Sequence, residues 1–177
     1  GNLASNHWWY PYIEEIYLEN LANEHSANTG NLYLAEFRGC GKSSPPLSDA
    51  EVNMKVFAND FIKLIHHLNP KNKLHLMGHS TGGNIAAIML AKAPELFEKA
   101  ILLDPVGPRG VVFDERMIET FERMKKNKAL VSTILGMTIY QNQETPFFKE
   151  VIVQDGFQAV QASMVALGIE NEDLLQV

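Results

Sequence analysis

Cysteine is nearly absent: Cys40 is the only one in 177 residues. No internal disulfide can form, so packing and hydrogen bonds must hold the fold, and a lone thiol favours a reducing, cytoplasmic setting. Long apolar runs are missing too. The longest, from Ile85 to Ala91, is broken by Lys92 and is far short of the ~20 residues that span a bilayer. Basic clusters are missing. Lys and Arg number 15 against 21 Asp and Glu, a net charge of −6, which argues against nucleic acid as a partner. No secretory signal pattern is visible, and no repeat or low-complexity tract. No spacing of His, Cys, Asp or Glu suits a metal, since His66 and His67 are adjacent and diverge on a helix. No cofactor is expected. A starting methionine is absent, so Gly1 need not be where the natural chain begins. Last, no histidine follows His79; the six are His7, His25, His66, His67, His75 and His79.

What remains is an ordinary globular composition, long enough for one sizeable core. From Trp8 to about Ser26, Ile13, Ile16, Tyr17 and Leu21 recur at helical spacing and predict an amphipathic helix. Asn28 to Asn31 reads as a turn and Leu32 to Phe37 as a buried strand. Arg38 to Pro46 is a loop by its Gly, Ser and Pro content. Ser48 and Glu51 form a capping box. The helix it opens puts Val52, Phe57, Phe61, Leu64, Ile65 and Leu68 on one face, and Asn69-Pro70 stops it. Lys73 to Met77 is a strand. The helix after it ends near Ala93-Pro94, and Lys99 to Asp104 is another strand, closed by Pro105. Strands alternating with helices predict a mostly parallel sheet in an α/β, three-layer α/β/α architecture. Beyond the linker Val106 to Gly110 the alternation stops. Met117, Phe121 and Met124 share a helix face, as do Phe157, Val160, Met164 and Leu167. These faces predict a helical part whose Met and Phe side chains either pack a core or line an adaptable apolar cleft.

The chemistry concentrates in Leu74 to Gly83, where a strand leads into Gly78-His79-Ser80-Thr81-Gly82-Gly83 and a helix comes after. A serine on a sharp strand-to-helix turn has its hydroxyl exposed on strained backbone. Gly78 and Gly82 leave the turn free of Cβ atoms that would crowd it. The helix N-terminus then offers backbone N–H groups and partial positive charge. Gly41-Lys42-Ser43 looks superficially like a phosphate loop, but Glu36 occupies the place of its first glycine and would repel phosphate. Arg38 is expected to brace the loop through carbonyls or a carboxylate. Cys40 lacks a neighbouring base and reads as a small loop residue. Glu14-Glu15 and Glu170, Glu172 and Asp173 read as solvated helix faces.

Three motifs in order resemble the cap-bearing esterases of the α/β-hydrolase fold. Gly78 to Gly83 resembles the nucleophile elbow of that family. Glu36-Phe37-Arg38-Gly39-Cys40-Gly41-Lys42-Ser43 resembles its Asp-x-Arg-Gly-x-Gly-x-Ser loop, with Glu for Asp and Cys40 where His is common. Leu103-Asp104-Pro105 resembles the end of its sixth strand. Gly1 to Ser5 before Trp8-Trp9 resembles the segment just after the family's His-Gly oxyanion loop. The resemblance implies a hydrolase core over residues 1–110 and a helical cap over 111–177. It implies that Ser80 attacks the carbonyl of a small apolar ester or lactone, forming an acyl-enzyme, while the N–H groups of Thr81 and of Asn2 or Leu3 hold the oxyanion. Losing one such donor costs roughly 3–4 kcal/mol in known cases.

The family order is serine, acid, histidine, and here every histidine precedes Ser80. The triad histidine, and the acid unless Asp104 supplies it, are expected beyond Val177, because such hydrolases usually need roughly 250 residues or more. His75 should lie on the strand face, His79 should turn away from the attack path, and His66 and His67 should sit on a helix covering the sheet. A non-catalytic ligand-binding or interaction protein of the same fold is the competing class. Peptidases, perhydrolases and carbon–carbon bond hydrolases share the scaffold.

Overall fold

The protein is seen in a computed structural model that describes residues 3–22, 30–107 and 113–162. Among the described residues two strands form the sheet. β1, Leu74–His79, pairs in parallel with β2, Phe97–Leu103, in a register that sets Gly78 against Leu102 and His79 against Leu103. Parallel neighbours need a crossover, and α3, Thr81–Lys92, supplies it. Small and branched residues let α3 lie close to the strands: Gly83, Ile85, Ala86, Ile88 and Met89 are all buried. α2, Met54–Leu68, packs beside α3. Phe57, Ile65, Ile85, Ile88, Met89 and Phe97 fill the core between them, and Phe37 stacks on Phe57 at 5.0 Å.

Several details of α2 differ from the sequence reading. Ser48 caps nothing with its side chain, and Asp49–Glu51 is a short 3-10 turn. The helix proper starts at Met54, where the Asn53 side chain accepts from Lys55 N–H. Glu51 is drawn away by other donors, Leu47 N–H at 2.9 Å and Arg38 at 2.7 Å, so the capping box does not close. The stop is as expected, with Asn69 at φ 45° in the left-handed cap position that asparagine tolerates. Leu64 and Leu68 are exposed rather than buried.

Two other expectations fail. Leu32 to Phe37 is not a strand, and Leu32 is 65% exposed. An extended run becomes a strand only with a ladder partner, and neither β1 nor β2 pairs with it. The first helix forms as a 3-10 turn, Asn6–Trp9, running into α1, Tyr10–Ala22. Of the expected apolar face Ile16 and Tyr17 are exposed and Ile13 is half-buried, while the Leu21 side chain lies outside what the structure describes. The Asn28 to Asn31 turn lies largely outside the described residues.

After β2 the described chain is helical. α4, Glu115–Met124, and α5, Lys128–Met137, are capped by Asp114 and Asn127, whose side chains accept from Met117 and Leu130 N–H. A π-helical stretch, Phe147–Ile152, continues into α6, Val153–Gln161. Their core is Met124, Val131, Leu135, Phe148, Ile152, Val153 and Val160, with Leu3 and Trp8 packed against it. The predicted faces therefore divide: Met124 and Val160 are core, Phe121 and Phe157 pack half-buried against it, and Met117 faces solvent. Met164 and Leu167 lie outside the described residues, as do Glu170, Glu172 and Asp173.

Gly78 is where the strand–helix corner is tightest. A Cβ there would run into Gly82, with the carbonyl carbon 2.6 Å away. At Gly82 itself nothing outside the helix stands within 4 Å of an added Cβ, so the expectation of crowding there is wrong. Gly83 is the second tight position, 3.0 Å from Pro105 Cβ. Gly78→Ala should therefore lower stability by about 1–3 kcal/mol through overpacking. Gly82→Ala should be neutral or stabilising by up to about 1 kcal/mol. Urea unfolding of the two variants checks the contrast.

Candidate active site

Ser80 sits between β1 and α3 at φ 52°, ψ −124°, a conformation that costs a non-glycine residue of order 1–3 kcal/mol. The surroundings hold it there. Ser80 N–H donates to Leu103 O at 2.9 Å across to β2, and Ser80 O accepts from Gly83 N–H at 2.8 Å. The strand is thus pinned on one side while the helix starts on the other. Thr81, the first residue of α3, is buried, and its N–H is one of the orphan donors at a helix start. Asn84, also buried, donates from Nδ2 to Gly107 O at 3.1 Å and ties the chain after β2 to α3. Asp104, directly after β2, sits at φ 43° and is exposed. Asn2 lies outside the described residues.

Among the described residues the histidines are not gathered at Ser80, and His25 lies outside them. Among the described residues, none is hydrogen-bonded to its Oγ. His66 and His67 are exposed on α2. His75 is exposed, with Nε2 3.5 Å from Glu98. His79 stacks almost flat on Trp8, ring centroids 5.8 Å apart, and its buried Nδ1 has no hydrogen-bond partner. Burial disfavours the charged ring and lowers its pKa, against a smaller opposing pull from Asp104. With Met77, Ile101 and Leu103 from the same sheet face, and Trp8, Trp9 and Tyr12, His79 lines a recess of 390 Å³. Ser80 is not among its lining residues, and neither is any residue of α4 to α6.

Two carboxylates that the sequence did not single out as a pair organise the loops beside the elbow. Glu36 accepts from Asn6 N–H at 3.0 Å and from Lys42 N–H at 2.8 Å. Ser43 Oγ donates to Glu36 O. Asp155 on α6 accepts from Ser5 Oγ at 2.5 Å and meets His7 Nδ1 at 2.8 Å. No sequence pattern reveals the second group, because about 150 residues separate its members. Arg38 braces the loop as expected, with Nε and an Nη on Asp60 and the other Nη on Glu51. These partners raise the guanidinium pKa further, and Leu47 N–H, ahead of Arg38, lowers that of Glu51. Among the described residues no group of acidic, His and Cys side chains could hold a metal ion. No described helix is long and apolar enough to cross a membrane.

A strand, a strained serine and a buried small-residue helix, with a parallel strand beyond, form one βαβ unit. A family model described as the alpha/beta hydrolase fold matches residues 4–150. The chain belongs to the α/β-hydrolase fold family. This hydrolase-fold chain is similar to a Haemophilus influenzae protein carrying an esterase/lipase name, 44% identical over 54 residues, which are 30% of this chain and 18% of that one. A solved esterase from Exiguobacterium antarcticum superposes with a TM-score of 0.60 at 19% identity, covering 79% of this chain and 56% of that one. A structure from a study of Nitrososphaera gargenis carboxylesterases gives 0.66 at 23% identity, covering 98% and 63%. These two likenesses bear on the fold. This chain spans less than two thirds of each of these three proteins.

Cys40 gives a direct check on the loop. It is 1% exposed, and burial pushes its thiol up to about 12. Burial disfavours the thiolate, so almost none exists at neutral pH. Native protein at pH 8 should react with a thiol reagent such as dithiobis(nitrobenzoate) at least ~100-fold more slowly than the urea-unfolded chain, read by absorbance.

Proposed function

We propose that the protein is a serine hydrolase of small apolar carboxylic esters or lactones. Ser80 Oγ attacks the carbonyl and forms an acyl-enzyme, which water then cleaves. The observation that carries the reading is the left-handed backbone of Ser80 at the head of a buried helix. Such strain persists only where the surroundings enforce it, and it clusters at reacting groups. The N–H of Thr81, with a second from Asn2 or Leu3, would receive the developing negative charge. The esterase and lipase names among its relatives favour an ester over other substrates of the fold.

A base is also needed: a histidine within about 3 Å of Ser80 Oγ, oriented by a carboxylate. The reading therefore requires a histidine from outside the described residues. Asp104, directly after β2, is one candidate acid; the other, like the histidine, comes from outside the described residues. The same gap keeps a second reading in play, a ligand-binding protein that has the elbow without the base. Residues 1–110 would form the hydrolase core and 111–177 a cap.

The natural full-length protein should form a covalent adduct with a fluorophosphonate probe, found by mass spectrometry on the peptide holding Ser80. Ser80→Ala should abolish the adduct and lower turnover of a p-nitrophenyl ester by about 10⁴-fold or more. Turnover that survives the substitution refutes the nucleophile. A probe that leaves the unsubstituted protein unlabelled favours the binding protein.

A further inference from the structure

The serine reading needs a second oxyanion donor from the segment that opens the chain. That segment is held by a helix more than a hundred residues away in sequence. α6 comes close to it because Gly156 has no side chain: a Cβ there would stand 3.2 Å from Leu3 O and 2.6 Å from a Leu135 methyl. One residue earlier, Asp155 is only 8% exposed and turns its carboxylate to the segment. Oδ2 takes the Ser5 hydroxyl at 2.5 Å and His7 Nδ1 at 2.8 Å. Ser5 Oγ in turn accepts from His7 N–H at 3.0 Å. The hydroxyl thus donates in one direction and accepts in another, which fixes its rotor. Glu36 also accepts from Asn6 N–H in the same segment. Gln158, one turn along α6, donates to Gly41 O at 2.6 Å in the loop that Glu36 braces.

Burying a carboxylate is costly unless donors satisfy it, and here the donors are the Ser5 and His7 side chains, which come shortly after Leu3. That makes the contact more than generic packing: the charge has its partners only when the segment is in place.

Resting on the reading of Ser80 as nucleophile, we propose that Asp155 is a positioning residue, which from α6 clamps Ser5 and His7 and so sets the backbone of Leu3, whose N–H serves as the second oxyanion donor. It touches no reacting atom. Its loss misplaces one donor of the hole and slows the chemical step, with substrate binding little changed. Removing a donor outright costs about 10²–10³ in kcat, so misplacing one should cost about 10–100-fold.

The test uses the natural full-length protein with a p-nitrophenyl ester and the fluorophosphonate probe. Asp155→Ala should lower kcat and the rate of Ser80 labelling by about 10–100-fold with KM within about threefold. Asp155→Asn keeps an acceptor oxygen of the same reach and should recover most of the lost rate. Ser5→Ala, a smaller change, should lower kcat in the same direction, and serves if Asp155→Ala does not fold. Amide exchange at residues 3–8 should quicken in both alanine variants. Parent-like kcat and labelling in Asp155→Ala, or in Ser5→Ala where the first does not fold, overturns the clamp and leaves the serine reading standing. A fall in kcat that Asp155→Asn does not recover, or one matched by an equal rise in KM, also overturns it. A parent protein that never labels at Ser80 overturns the serine reading, and the positioning role with it.

Discussion

The close approach of β1 to α3 is the constraint on which the rest of the structure depends. Gly78 lies against the Gly82 carbonyl with no room for a Cβ, and that contact turns the chain within a single residue. Ser80 is forced into the left-handed region as a result, and its N–H bond to Leu103 keeps the turn aligned with β2. The layout near the site is set by this turn. It decides where α3 begins, so it decides where the first free amide stands. It also brings Gly83 against Pro105, which directs the chain as it leaves β2.

Polar side chains then fix loops that packing alone would leave free. Arg38 spreads its planar fork over Asp60 and Glu51, joining the Gly39–Ser43 loop to α2 and to the turn before it. Glu36 joins that loop to Asn6, and Asp155 joins Ser5 and His7 to α6. All three groups carry charge and all three link segments remote in sequence. Charge-assisted bonds suit this use, because they are directional and fail when the geometry slips. The apolar clusters supply most of the cohesion, through Phe57 and Ile88 on one side and Met124 and Val160 on the other.

The strand-to-helix corner was legible because its physics is local. A glycine, a strained serine and a small-residue helix occupy consecutive positions, so the pattern and the structure coincide within one residue. Arg38 as a brace was legible from its place in a Gly-rich loop, although its partners Asp60 and Glu51 stand 22 and 13 residues along the chain. Leu32 to Phe37 misled because strand character depends on a neighbour, which no propensity supplies. Ser48 misled because Glu51 had better donors in Leu47 and Arg38 than the amide a capping box offers. α1 misled because periodicity marks a face able to be buried without saying what covers it. Asp155 with Ser5 and His7 was invisible, since the order of residues along a chain holds no record of a meeting across 150 positions. Placing α6 against the opening segment took three dimensions.

Glu36 and Gly41 share one small volume. A Cβ on residue 41 would fall within the Glu36 carboxylate, and Gly41 already sits at φ 52°. Position 41 is therefore closed to any side chain while the acid stays. An acid one methylene shorter at 36 would open the gap over Gly41 while drawing back from Asn6 and Lys42, and any larger residue at 41 would evict the acid. The acid at 36 thus has latitude in length, whereas position 41 is held to glycine twice over, by the carboxylate above it and by its own backbone.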